Sequence, residues 1–218
     1  QRACVLLCGY KGNRAGGVSL SSGKNVLKAL EEAGYDAFSL DLSHDLTAFV
    51  ETLKKEKPDV VFNALHGQYG EDGCVQGVLD IMQIPYTHSG RLASALAMNK
   101  IMAKKLYRMA GLPVAVDRIV SKEDILAGNV LPHPFVLKPV SNGSSVGVYI
   151  FRENNGRKPF EGEKYPYADD DEIMAEEYVE GRELTVAVMN GKALGVLEIL
   201  PAEKFYNYKA KYSEGGAK

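Results

Sequence analysis

Apolar positions follow two different periods in the first half of the chain. Ala3 to Leu7 is a continuous apolar run of the length a buried strand needs. After a glycine-rich stretch from Gly9 to Gly17, the spacing becomes helical over about Ser21 to Ala33, with Val26, Leu27 and Leu30 on one face and Gly34 as the stop. Asp36 to Leu42 then reads as a strand, Leu46 to Lys55 as a helix and Asp59 to Ala64 as a third strand. Strands alternating with helices predict a parallel sheet covered on both faces, with ligands at the carboxyl ends of the strands. The Gly9–Gly17 and Gly67–Gly73 turns both fall at such ends.

The pattern then changes. Val75 to Met82 and Leu92 to Ala110 read as helices, the second closed by Gly111-Leu112-Pro113. Beyond Val116 short strands dominate. Phe135–Leu137 and the Val146–Ile150 run predict a hairpin whose tip, Asn142-Gly143-Ser144-Ser145, is turn chemistry. The stretch FRENNGRKPFEGEKYPYADDD predicts an exposed connection, because it carries many charges and few branched apolar residues. Glu172–Val179, Leu184–Val188 and Leu194–Leu200 read as antiparallel strands, with Asn190-Gly191 as a hairpin turn.

Composition narrows the class. At 218 residues, 45% hydrophobic and 25% charged, the chain is an ordinary globular sequence with room for two modest domains. A net charge of -2 gives no footprint for nucleic acid, so any anion site must be local. The three cysteines, Cys4, Cys8 and Cys74, form no CxxC pair and read as reduced core thiols of a cytoplasmic protein. The N-terminal run ACVLLC is too short for a signal sequence or a membrane span. A start at Gln1 and a stop at Lys218, just after Gly215-Gly216, read as a fragment.

Four segments could carry chemistry. In LHGQYGEDG, His66 can contact a ligand or relay a proton, while Glu71 and Asp72 can orient it or cap the next helix. Lys138, ahead of the Gly/Ser tip, is either a solvated lysine or a phosphate contact supported by backbone donors. Lys100, Lys104 and Lys105, taken alone, read as a solvated helix face. EEYVEGREL is either a solvated turn or an extended segment able to read an adenine edge and a ribose.

In combination these segments resemble an ATP-grasp enzyme. HGxxGEDGxxQG (66–77), IPYTHSGxLASALAMNK (84–100), KPxxxGSSxGV (138–148), EGRExT (180–185) and FYxYxAKY (205–212) are similar to D-alanine:D-alanine ligases over nearly the whole chain. The resemblance implies an α/β fold: a Rossmann-like parallel-sheet domain over 1–95, a central ATP-grasp nucleotide-binding subdomain over 96–180, and the start of a third, with a lid loop, over 181–218. It implies ATP-dependent joining of two D-alanines through D-alanyl phosphate for peptidoglycan, with ATP and Mg2+ (or Mn2+), in a cytoplasmic homodimer that binds neither nucleic acid nor membrane. Lys100, Lys138 and the tip with Ser144 and Ser145 would contact ATP phosphates, Glu176, Glu177 and Val179 adenine, and Glu183 the ribose. His66 would face the first D-alanine, Ser144 and Tyr212 would hold the lid, and Lys211 would reach the transferred phosphate.

Two departures accompany the resemblance. Ala15 stands where the family has an acid that binds the first D-alanine's ammonium. Ala15→Glu is therefore expected to lower the Michaelis constant for that D-alanine, and steady-state kinetics check it. The family's metal ligands and transition-state arginine would lie beyond Lys218, so this chain by itself is expected to be inactive. The resemblance leaves two rivals: a non-catalytic nucleotide-binding module, and a ligase with another acceptor such as D-lactate.

Overall fold

The computed structural model describes residues 1–7, 16–153 and 156–200, which group into two compact units, Gln1–Ala103 and Lys104–Lys218. In the first, β1 (Arg2–Leu7), β2 (Asp36–Asp41) and β3 (Val60–Asn63) form a parallel sheet in the order β2-β1-β3. Parallel strands need helical crossovers. These are α1 (Gly16–Glu32) and α2 (Leu46–Glu56), with α3 (Cys74–Ile81) following β3. α1 absorbs the end of the glycine-rich stretch and starts earlier than the apolar spacing suggests. It is tied to the sheet where buried Ser19 donates from Oγ to the Ala64 carbonyl at 3.0 Å.

Burial explains the pattern. Cys4 and Leu6 of β1 and Val61 of β3 pack with Phe49, Leu53, Val75 and Leu79 into one core. Burial pushes the Cys4 thiol up to about 12, as expected of an inert core cysteine. Cys74 departs from expectation: it is exposed in the first turn of α3, where only one helix stripe faces the core.

The long helix expected over Leu92–Ala110 is two, α4 (Arg91–Met98) and α5 (Lys100–Met109). Asn99 is extended (φ −86°, ψ 105°), and its Oδ1 accepts from the Met102 N–H at 3.0 Å, so it caps α5 and breaks the run. Helical spacing of apolar residues continues across such a break, which is why the pattern hides it.

In the second unit β4 (Asp117–Val120), β5 (Phe135–Pro139), β6 (Tyr149–Phe151) and β7 (Ile173–Glu177) form an antiparallel sheet in the order β4-β7-β5-β6. The hairpin of β5 and β6 is as expected. A short helix, α6 (Lys122–Ala127), was not: Ser121 caps it and Gly128 closes it in the left-handed region. The stretch read as an exposed connection supplies core aromatics instead. Phe160 and Tyr167 are buried against Tyr149 at 5.0 and 5.7 Å between ring centroids, both edge to face. Aromatic burial within a charged segment escapes a composition reading, because these rings are spaced irregularly. β8 (Glu183–Met189) and β9 (Lys192–Ile199) form a separate antiparallel ribbon through Asn190-Gly191, both with positive φ as such a turn requires.

Candidate active site

In the first unit the loop after β3 is built around one carbonyl. The amide groups of buried Asn63 and Gln76 both donate to the Gly70 carbonyl at 2.8 Å. Gly70 lies so close over Leu65 that a Cβ would stand 2.3 Å from the leucine's own. The two acids brace this loop: Glu71 Oε2 accepts from the Gly67 N–H at 2.6 Å, and Asp72 accepts from the Tyr69 and Cys74 N–H groups at 2.8 and 3.0 Å. Asp72 thus serves the start of α3 as expected, although the N-cap residue itself is Gly73.

The braced loop presents His66. This half-buried ring has Nε2 3.3 Å from Ser22 Oγ and borders a cavity of about 470 Å³ shared with Asn63, Glu71, His88 and Ser94. His88 Nε2 lies 2.7 Å from the Asn63 carbonyl, which can only accept, so that nitrogen carries a proton. The cavity is of the size usual for small-molecule sites, with His66, Glu71 and His88 among an otherwise partly apolar lining.

In the second unit the chemistry gathers on one face of the antiparallel sheet. Asp117 of β4 stands directly opposite Glu176 of β7, and Val136 of β5 opposite Glu176 on the other side, which puts Lys138 diagonally across from Glu176. Two carboxylates paired across strands repel. Lys104, from α5, resolves the conflict: its Nζ donates to the Ala115 carbonyl at 2.8 Å, lies 3.0 Å from Asp117 Oδ1 and pairs with Glu176 Oε1. Glu176 Oε2 pairs with Lys138, and Arg108 with Asp117. Lys104 is accordingly not part of a solvated face. It is 7% exposed, with its ammonium paired to two half-buried acids, whereas Lys105 stays in solvent.

Burial alone would raise the Asp117 pKa, but hydrogen bonds and charge from Lys104 and Arg108 outweigh it and hold the carboxyl below its ordinary 3.8. A depressed folded pKa contributes stability that is complete above the unfolded value and lost as pH falls through the folded one. The second unit's resistance to urea is therefore expected to drop below about pH 4. Asp117→Asn should flatten that part of the profile.

After Lys138 the chain makes the Gly/Ser turn. Ser144, Ser145 and Gly147 have φ of 55°, 59° and 71°, and the Val146 N–H returns to the Gly143 carbonyl at 3.1 Å. Two successive left-handed residues fold the chain into a tight turn with small side chains, directly after the strand that carries Lys138. Gly147 is required: besides its φ, a Cβ there would stand 3.0 Å from Pro139 Cγ. Tyr167 donates its hydroxyl to the Gly147 carbonyl at 3.0 Å, and burial pushes its pKa far up, so the donor stays protonated.

The structure thus brings together Lys138, Glu176 and the base of the turn with Ser144 and Ser145. Glu177 is exposed, with its backbone N–H bonded to the Val116 carbonyl; Val179 and, at the head of β8, Glu183 are exposed as well. Lys100 opens α5 in the first unit, half-buried. Lys211, Tyr212 and Ala15 lie outside the described residues. Lys104 was missed; the one signal for it is its place four residues after Lys100, a turn further along the same helix. Among the described residues no three His, Cys, Asp or Glu side chains stand where they could hold a metal ion.

A parallel α/β unit followed by an antiparallel sheet with a strand lysine and a glycine-serine turn defines an ATP-grasp fold. Among solved structures, the D-alanine–D-alanine ligase from Bacillus anthracis superposes with a TM-score of 0.74 at 29% identity, over all of this chain and 70% of that one. Its complex with ATP superposes with a TM-score of 0.71 at 28% identity, over 94% of this chain and 68% of that one. Family models described as D-ala D-ala ligase N-terminus and C-terminus match residues 43–89 and 102–218. D-alanine–D-alanine ligases from Rhodospirillum rubrum and Parvibaculum lavamentivorans are 47% and 50% identical over the whole chain, which spans 71% and 69% of their lengths. The chain belongs to the D-alanine–D-alanine ligase family.

Proposed function

We propose that this protein joins two D-alanines at the expense of ATP, supplying the dipeptide for peptidoglycan. The observation that carries the reading is the 47–50% identity to D-alanine–D-alanine ligases along its entire length. The carboxylate of one D-alanine attacks the γ-phosphorus of ATP and ADP leaves; the amine of the second attacks the resulting acyl phosphate, and inorganic phosphate leaves. Mg2+ supplies charge neutralisation at the phosphates when bound.

The described residues suit the parts of this task that need charge and exclusion of water. Lys138 and the left-handed turn at Ser144 and Ser145 hold the ATP phosphates, with Lys100 as a second cation; Glu176, Glu177 and Val179 line adenine and Glu183 meets the ribose. His66, presented by its braced loop at the cavity, faces the first D-alanine. Ser144 with Tyr212, and Lys211, complete the lid side. This division of labour follows the expected layout of 1–95, 96–180 and 181–218. It is supported by motif position and by the place of Lys138 on the strand that leads into the glycine-serine turn.

Among the described residues no helix is long and apolar enough to cross a membrane. We place the protein in the cytoplasm, where ATP is available, and propose that it acts as a homodimer, as the family resemblance implies.

The test is ADP release by the protein as encoded in its gene, with Mg2+, in the presence and absence of D-alanine. Release that depends on D-alanine, with the dipeptide as product, is expected. Nucleotide binding indifferent to D-alanine would overturn the reading in favour of a non-catalytic module, and a product formed only with D-lactate as acceptor would reassign the second substrate.

A further inference from the structure

Arg108, Asp117, Lys104, Glu176 and Lys138 form a ladder of alternating charge, each pair in contact. Lys138 belongs to the nucleotide site proposed above; Lys104 does not. The Lys104 side chain is 9% exposed and Asp117 10%, against 20% for Lys138 and 45% for Arg108, so the ladder is most buried at Lys104, between two more exposed ends.

We infer that Lys104 is a positioning residue: by occupying one oxygen of Glu176, it limits how much of Lys138's charge Glu176 takes up and leaves that ammonium aimed at nucleotide phosphates. Glu176 divides its two oxygens, Oε1 to Lys104 and Oε2 to Lys138. A carboxylate so divided neutralises each cation in part and fixes both in place. Without Lys104, Oε1 of Glu176 loses its cation and both oxygens are free to engage Lys138, whether or not Asp117 keeps its charge. The ammonium is then drawn down onto the strand and its charge is spent on Glu176. The Ala115 carbonyl, which accepts from Lys104 at 2.8 Å, anchors the lysine from a third direction and keeps it from following either acid. This role rests on the proposed use of Lys138 in ATP binding.

Lys104→Met alone leaves two opposed carboxylates and is liable to misfold, so the informative variant is Lys104→Met with Asp117→Asn, which removes the repulsion along with the cation. In the protein as encoded, this double variant is expected to raise KM for ATP about tenfold, the scale of one charge-assisted hydrogen bond, with KM for D-alanine within about twofold of the parent. Retention of the parent's thermal unfolding midpoint to within a few degrees accompanies that result. An unchanged KM for ATP overturns the inference, as does a parallel rise in both Michaelis constants with a fall in the midpoint, which marks a merely structural lysine. Lys138→Met, run alongside, separates the two levels. If it leaves KM for ATP unchanged, the assignment of Lys138 itself fails; if it raises KM and the double variant does not, only the role of Lys104 fails.

Discussion

Lys138→Met should lower kcat/KM for ATP by about 10²–10³-fold, the cost of removing one preorganised electrostatic contact to developing charge. Methionine keeps the length of the side chain and its packing against the sheet while deleting the ammonium, so a fall in activity with unchanged thermal unfolding reports charge. Steady-state kinetics with varied ATP at saturating D-alanine is the measurement. The effect should be larger than that of the Lys104 double variant, because Lys138 is proposed to meet the phosphates and Lys104 only to set its aim. A loss of less than threefold would remove Lys138 from the site and leave the glycine-serine turn without its cation.

The second large effect falls on stability. Phe135 is 1% exposed at the start of the strand that ends in Lys138 and Pro139; its ring lies 5.0 Å from Phe151, nearly parallel, and 4.8 Å from His133. Phe135→Ala removes a ring from the core shared with Ile125, Leu137, Phe160 and Ala175. Truncations of this kind cost about 3–5 kcal/mol, transfer and cavity terms together. Urea unfolding of the protein should show that loss in the transition of the second unit. Because β5 is paired on both sides, by β6 and β7, nucleotide affinity should weaken along with stability, although Phe135 touches no ligand. A cost under about 1 kcal/mol would mean that the site collapses around the missing ring, against the close packing usual in cores.

Much of this was legible in the chain itself. The parallel sheet follows from strands alternating with helices, since buried parallel strands read as short apolar runs and helices as a 3.6 period, and the family follows from motifs whose order and spacing are read directly. His66, Lys138, Ser144 and Ser145 were all named from those motifs. Where the reading went astray, the deciding contact was distant in sequence or the signal was a single residue. Asn99 breaks a helix that the apolar spacing carries straight through. Phe160 and Tyr167 enter the core from a segment whose charges suggest solvent. Cys74 faces out because of its angle on α3, one residue from buried Val75.

Lys104 shows the division most plainly. Its place on a helix beside other lysines determines only that it is a cation, and a cation with no visible partner belongs in water. Its partners, Asp117 and Glu176, lie 13 and 72 residues along the chain, side by side only because β4 and β7 pair in register. The sequence by itself determined the family and most of the elements, because local pattern and ordered motifs carry that information. Only the tertiary structure decided which charges are buried together, because the energy of an ion pair depends on distance and dielectric, and neither is written in the order of the residues.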